Sequence, residues 1–465
     1  MTTEQPARFD AAWQAALALA AQAAKGGRDI VLARDLLGRA SLLIDDRAEP
    51  LAPDDPELVS IRTEFIKATR PFTGLEPTQT ASALFAPELF FDVPELTEVT
   101  PREDGVGRVA VLERTVVGTD WLQGPEAEGE DDTRAATAET RQERRVALYG
   151  FKGGVGRSTA TTVLARYLAD QGHCVLVVDL DLESPGVSNL LADPAGMPRH
   201  GIVDHLVEAG VGNADGLELV ARTSVLPYTG NGEVWLAPAG GRPLENEQYD
   251  YLAKLNRIYS DLPAAEPGGS PRPFAVRLEH AIAACEDQVA ELSRKPDVVL
   301  LDSRAGIHDI AAVVLTRLSG LALLFAVDNP STWEGYRMLL SEWQRRPERA
   351  RELRERIRIV AAMFHSAGDI RRLSILRKHA YDVFTETLYN LPDDGDDDAE
   401  PFLAPDWEED DRPYAPIPIL FGNDLVGLDP LRSRAWPELP FVEAAYRTFV
   451  TSVERLLLPR RKETA

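Results

Sequence analysis

Cysteine is almost absent from this 465-residue chain: there are two, Cys174 and Cys285, far apart and each inside an apolar stretch. Two such residues make neither a disulfide framework nor a CxxC metal site within one chain, and they read as buried free thiols. Basic residues are also in deficit, 50 Lys and Arg against 75 Asp and Glu, for a formal net charge of -25. Diffuse binding of duplex DNA needs a basic face, so this balance disfavours it. The opening MTTEQPARFD lacks the basic-then-apolar order of a secretory leader. The most apolar run, residues 311–327, is interrupted by Arg317 and falls short of a membrane span. A cytoplasmic protein without stable membrane insertion is the expectation.

What is present is ordinary globular material, 44% hydrophobic and 27% charged, and the length predicts two or three domains. Residues 1–75 read as a helical N-terminal region, on AAWQAALALAAQAAKGG and DIVLARDLLGRASLLIDD. Residues 76–144 read as irregular or linker with one short strand at 109–117; prolines crowd 71–101, and 123–144 is polar and charged. From residue 145 the pattern changes. Apolar runs at 145–149, 173–178, 234–237, 297–301, 321–327 and 357–363 alternate with helical stretches. That alternation predicts an α/β fold, a mostly parallel sheet with helices on both faces, over 145–365. Residues 366–465 read as a C-terminal extension with helices, an acidic loop and a strand-like IPILF.

The segment Gly150-FKGGVGRSTA joins the strand at 145–149 to a helix, the context a phosphate-binding loop requires. Glycines let successive N–H groups turn toward phosphate oxygens, and the helix adds the positive end of its dipole. The candidate nucleotide-binding residues are Lys152, Gly153, Gly154, Val155, Gly156, Arg157, Ser158 and Thr159. Ser158 holds the place of the hydroxyl that binds magnesium, and Thr159 is placed toward the α-phosphate. Against the general GxxxxGK[ST] pattern, Phe151 replaces the first glycine and Arg157 replaces the lysine. Arginine keeps the charge but has a different shape, so binding is expected to survive and turnover to be slow. Two acidic strand ends follow. VDLDLESPG carries Asp179 and Asp181, and DVVLLDSRAG ends a strand at Asp302, the arrangement in which an aspartate holds magnesium through water. Arg304 is a candidate arginine finger or a surface ion-pair partner.

The KGGxG(K/R)[ST] loop followed by DLDLESPG resembles the deviant phosphate loop of the ParA/MinD family over roughly residues 145–365. The resemblance implies ATP and Mg2+ as ligands and a dimerising ATPase switch acting on a protein partner. It makes Lys152 the lysine that reaches across a homodimer to the other nucleotide. Asp181 becomes the residue that orients attacking water, and Asp179 a ligand of magnesium-bound water. Glu183, Ser184 and Gly186 form a switch loop, with Gly306 in a second one. Asp328, Asn329 and Pro330, in the VDNP loop after the 321–327 strand, become contacts to adenine. The alternative is a non-hydrolysing nucleotide-binding scaffold in a bacterial defence or signalling module. The Arg-rich stretch 345–378 is the candidate DNA surface, although its arginines alternate with glutamates as in an ion-paired helix. The acidic stretch 393–411 is read as a loop. The amphipathic C-terminal helix is expected to pack on the core.

Overall fold

The computed structural model describes the chain except residues 1–7, 36, 94–95, 103–104, 114–120, 122–138, 224, 243–248, 263–271, 366–369, 390, 392–405, 411, 424–432, 434 and 458–465. It divides into two compact units, Met1–Val117 and Gly118–Ala465. The first unit therefore runs past the boundary expected at residue 75, which falls inside a strand, Thr73–Thr80.

In the first unit the expected helix over 29–46 is instead a hairpin. Strands β1 (Ile30–Arg34) and β2 (Ala40–Ile44) pair antiparallel, Ile30 opposite Ile44. The turn is closed by the Asp35 carboxylate, which accepts from the N–H groups of Leu37 and Arg39 at 2.9 Å each. Gly38 supplies the required positive φ of 76°. The two strands are buried on both faces. Ile30, Leu32, Leu42 and Ile44 meet one hydrophobic cluster, and Val31 and Leu43 meet another. Burial on both sides removes the polar alternation that marks a strand, so the run imitates a helix. The proline-rich stretch is also more ordered than expected. It contains β3 (Thr73–Thr80), a one-turn helix at Glu88–Phe91 and β4 (Thr97–Thr100), followed by β5 (Val109–Glu113). The sheet order is β3-β2-β1-β5-β4. Pro77 is tolerated because β3 lies at an edge. The helices Phe9–Ala24 and Pro56–Thr69 complete this unit. Ala12, Ala16, Ala20 and Ala24 form the buried stripe of the first.

The second unit is built on an eight-stranded sheet of order β13-β12-β11-β6-β10-β7-β9-β8. Its strands are β6 (Arg145–Gly150), β7 (Cys174–Leu180), β8 (Ala221–Arg222), β9 (Glu233–Ala237), β10 (Val298–Ser303), β11 (Leu321–Ala326), β12 (Ile357–Phe364) and β13 (Ile417–Leu420). Every pairing is parallel except β8 with β9. β6, β7, β10 and β11 are buried at every position, as continuous apolar strands between two helical layers must be. This is the mostly parallel, helix-flanked fold of a P-loop NTPase. Cys174 and Cys285 are buried free thiols, as the composition implied.

The C-terminal stretch belongs to this unit: β13 pairs with β12, and the helix Pro440–Leu457 buries Val442, Ala445, Tyr446, Phe449, Val450 and Val453 against the core. That spacing of three and four is one stripe of a helix. Among the described residues no helix is long and apolar enough to cross a membrane. In the Arg-rich stretch, Arg345, Arg349, Arg354 and Arg356 pair with Glu342, Glu352, Glu355 and Glu352. Most of the acidic 393–411 loop and of the 123–144 linker lies outside the described residues. Phe449 is fully buried and meets Phe325 edge-on at 6.1 Å. Phe449→Ala should therefore destabilise the second unit by about 3–5 kcal/mol, read as a lowered urea midpoint with an unchanged slope.

Candidate functional site

The sheet places its chemistry at the carboxyl ends of β6, β7, β10 and β11. β6 lies between β10 and β11. The chain runs from β6 to β7 on one side and from β10 to β11 across to the other, so a crevice opens above β6, where open α/β sheets bind ligands. After β6, residues 151–156 turn into the helix Arg157–Asp170. Gly154 and Gly156 adopt φ of 73° and 84°, which only glycine takes up without strain. No atom would meet a Cβ at Gly153, Gly154 or Gly156, so at the last two it is the backbone conformation and not crowding that calls for glycine.

Ser158, in the helix's first turn, donates its hydroxyl to Asp302 Oδ2 at 2.6 Å. Gly186 closes in from the other side: a Cβ there would stand 3.1 Å from Ser158 Oγ. Asp302 ends β10 in direct register with Asp179 on β7. Asp179 is fully buried and accepts from the Ser188 N–H and hydroxyl at 3.0 and 2.6 Å, and from the Asp181 N–H at 3.2 Å. Asp302 Oδ1 is buried with no hydrogen-bond partner among the described residues; the nearby Thr161 hydroxyl donates to the Arg157 carbonyl instead. Burial raises the pKa of both carboxyls. For Asp179 the facing Asp302 adds to the rise; for Asp302 the Arg157 guanidinium and the Ser158 hydroxyl oppose it. Asp181 is raised by burial, against the pull of Arg157 and Arg304.

Hard oxygen donors around an unpartnered carboxylate oxygen suit Mg2+. Among the described residues no three His, Cys, Asp or Glu side chains gather as a metal cage. A cation here would depend on water and phosphate oxygens for most of its shell, the usual habit of Mg2+. Ser158, Asp302 and Asp179 are the residues that would hold it.

Arg157 is buried. Its guanidinium donates to the Ser303 carbonyl and lies 3.4 Å from Asp181 Oδ2. Lys152 is exposed and donates to the Ser331 hydroxyl, in the first turn of the helix that follows β11. Asn329 uses its side-chain oxygen to cap the helix Pro330–Trp343, accepting from the Thr332 N–H at 2.9 Å. Asp328 Oδ1 accepts from Trp333 Nε1 at 2.8 Å and lies 2.9 Å from His379 Nδ1. Val155 is buried and Thr159 half-buried. The loop, the DxD strand end and Asp302 thus converge, whereas Asn329 is occupied in capping the helix Pro330–Trp343 and Asp328 in contacts to Trp333 of that helix and to His379. Phe151, where the general pattern has glycine, packs beside Tyr336 and over Gly335. A Cβ on Gly335 would lie 2.2 Å from the ring. Sequence reading missed this pairing, and also Tyr149, whose hydroxyl donates to the Gly306 carbonyl at 3.1 Å.

Strand–glycine loop–helix, with a serine joined to the aspartate of a neighbouring strand, defines a P-loop nucleotide-binding domain. Residues 146–372 match the CobQ/CobB/MinD/ParA nucleotide binding domain family, and this part of the chain is a ParA/MinD-type P-loop domain. The chain is 37% identical over 110 residues to the chromosome-partitioning ATPase Soj of Thermus thermophilus, covering 23% of this chain and 44% of that protein. It is 34% identical over 101 residues to the cytosolic Fe-S cluster assembly factor cfd1 of Neurospora crassa, covering 20% and 32%. It spans less than half the length of either relative. Among solved structures, cobyrinic acid a,c-diamide synthase from Mycobacterium smegmatis with bound ATP analog and magnesium aligns with a TM-score of 0.37 at 17% identity, over 68% of this chain and 97% of that one.

The two raised carboxyls fix a sign for pH. A folded-state pKa above the unfolded value contributes stability below the ordinary carboxylate range and loses it as pH rises through the folded pKa. The ligand-free protein should therefore lose thermal stability between about pH 4 and pH 7 through Asp179 and Asp302. Asp302→Asn keeps an acceptor for Ser158 and should flatten that loss in melting curves taken across the range.

Proposed function

We propose that the protein binds ATP with Mg2+ at residues 152–159, hydrolyses it slowly, and works as a dimerising switch on a protein partner in the cytoplasm. The observation that carries this reading is the bond from Ser158 to Asp302, whose second oxygen is buried and unpartnered, at the start of a helix entered through two positive-φ glycines. Backbone N–H groups of the loop and the helix dipole favour phosphate there. Bound Mg2+ would supply charge neutralisation on the phosphates. Asp181 stands at the same strand ends, half-buried, with a raised pKa. A carboxylate so placed can orient water and accept its proton. The similarity to Soj supports nucleotide hydrolysis, and the share of Soj covered leaves partner and cargo outside this reading.

Slow turnover follows from Arg157. Its guanidinium is engaged by the Ser303 carbonyl and by Asp181 itself, which offsets part of the basicity that burial gives the carboxylate meant to act on water. The same contact favours a second reading, a nucleotide-binding scaffold that does not hydrolyse, in a defence or signalling module. Turnover of radiolabelled ATP by the purified chain separates the two. Asp181→Ala should bind ATP within about twofold of wild type and turn over about ten- to a hundredfold more slowly. Equal rates remove Asp181 from the mechanism. In calorimetry, Ser158→Ala should lose the magnesium-dependent part of ATP affinity; retention of it moves the cation elsewhere.

Dimerisation rests on Lys152. It is exposed at the loop's entrance and bonded only to a neutral hydroxyl, Ser331, among the described residues. Across an interface it would meet the second copy's nucleotide. Light scattering with ADP and with a non-hydrolysable ATP analogue should show a dimer in the analogue only, lost in Lys152→Ala. A variant that dimerises normally but binds nucleotide weakly as a monomer assigns the lysine to its own phosphates.

A further inference from the structure

Tyrosines 249, 251 and 259 flank and open a short helix, Tyr251–Ile258, that no motif singled out. The helix is anchored on a buried carboxylate. Asp204 Oδ2 accepts from the Tyr249 hydroxyl at 2.8 Å, and Asp204 Oδ1 pairs with Lys254 Nζ at 2.6 Å. Leu255 and Ile258 enter the core beside it. From this base two hydroxyls reach the loop that follows Asp181. Tyr251 donates to the Leu182 carbonyl at 2.6 Å. Tyr259 donates to Glu183 Oε1, while Arg304, from the loop after β10, pairs with Glu183 Oε2. His308 Nε2 lies 3.4 Å from Glu183 Oε1. Its Nδ1 accepts from the Ile310 N–H at 3.3 Å, which leaves the proton of a neutral ring on Nε2, facing the carboxylate. The Tyr259 ring is held between Phe274 and His308, with centroids at 5.3 and 5.1 Å.

We propose that Tyr251, Tyr259 and Glu183 are positioning residues for Asp181, forming a latch that ties the DxD loop to the Arg304 loop before nucleotide arrives. This rests on the hydrolysis reading above. The loop is pinned at successive residues. Asp179 is held by Ser188, the Asp181 N–H by Asp179, the Leu182 carbonyl by Tyr251 and the Glu183 side chain by Tyr259 and Arg304. The Ser184 N–H closes the turn on the Asp181 carbonyl at 3.1 Å. Leu182 buries its side chain completely. A catalytic carboxylate on a loop ordered in advance avoids the entropic cost of ordering it during reaction. The latch also joins two loops that sequence assigned to separate switch segments, so both would move together. Arg304 is committed to its own chain here, which sets the ion-pair reading above the finger.

The test uses Tyr251→Phe, Tyr259→Phe and the double variant in the full chain, each change removing one oxygen and leaving the ring. Each single variant should lower kcat by about tenfold, since an error near 1 Å in placement can cost about a hundredfold. KM for ATP should stay within about twofold, because the hydroxyls do not touch nucleotide. Amide hydrogen exchange at 181–186 should quicken in the ligand-free variants, with global melting unchanged. Retained kcat, or a rise in KM in place of the kcat loss, overturns the proposal. If the wild type shows no turnover, the hydrolysis reading alone fails. Exchange then decides the latch, and protection equal to wild type in both variants overturns it.

Discussion

Two carboxylates facing each other in register on adjacent parallel strands, shut away from solvent, are the constraint around which this site is organised. Asp179 and Asp302 cannot both hold full charge there without compensation. The chain supplies part of it. Ser188 gives Asp179 two donors, Ser158 gives Asp302 one, and Arg157 adds a nearby positive charge. One oxygen of Asp302 is left over. The β-sheet imposes this proximity: parallel register on β7 and β10 places the two strand ends level, and the crossing of the chain at β6 sets the glycine loop directly above. The fold thus concentrates negative charge where a cation and an anionic ligand are most strongly held together.

The two departures from the general phosphate-loop pattern have separate physical answers. Phe151 is a packing solution. Its ring fills the corner beside Tyr336, and residue 335 must be glycine to admit it. Arg157 is an electrostatic one. The longer fork reaches the Ser303 carbonyl and Asp181, linking the loop helix to the ends of two strands. A lysine ammonium is a single point charge and has no fork with which to span the two at once. The arginine therefore binds the site's parts to one another as well as offering charge to phosphate.

The parallel sheet of the second unit was legible because its central strands β6, β7, β10 and β11 are continuous apolar runs, each ended by glycine or acid and followed by a helical stretch. The same rule failed in the first unit. IVLAR and ASLLI are also continuous apolar runs, but helical residues surround them and the turn between them, DLLGR, contains two leucines. Only the Asp35 turn and Gly38 marked the hairpin, and both are compatible with a helix end. The convergence of Ser158, Asp179, Asp181 and Asp302 could be read because each lies next to its motif in sequence. Gly335 and Tyr259 could not. Each acts on a loop far away in the chain, through a ring or one hydroxyl, and a single sequence carries no record of such pairings.

The cations around the loop differ in what they face. Arg157 faces Asp181, and Arg304 is paired with Glu183. Both neutralise carboxylates of their own chain. Lys152 differs: it is exposed, and among the described residues its ammonium meets a hydroxyl and no carboxylate. Its charge is therefore available to an anion without first giving up a carboxylate. Two copies of a chain with formal charge -25 repel each other, and two bound nucleotides would add to the repulsion. In the proposed dimer, an exposed, uncompensated lysine at the entrance of each site would lower that barrier when phosphate is present on the opposite copy and would do little when it is absent. Screening by salt weakens this attraction and the general repulsion together. In such a dimer the balance between them, set by how closely Lys152 approached the facing phosphates, would decide whether association follows the nucleotide.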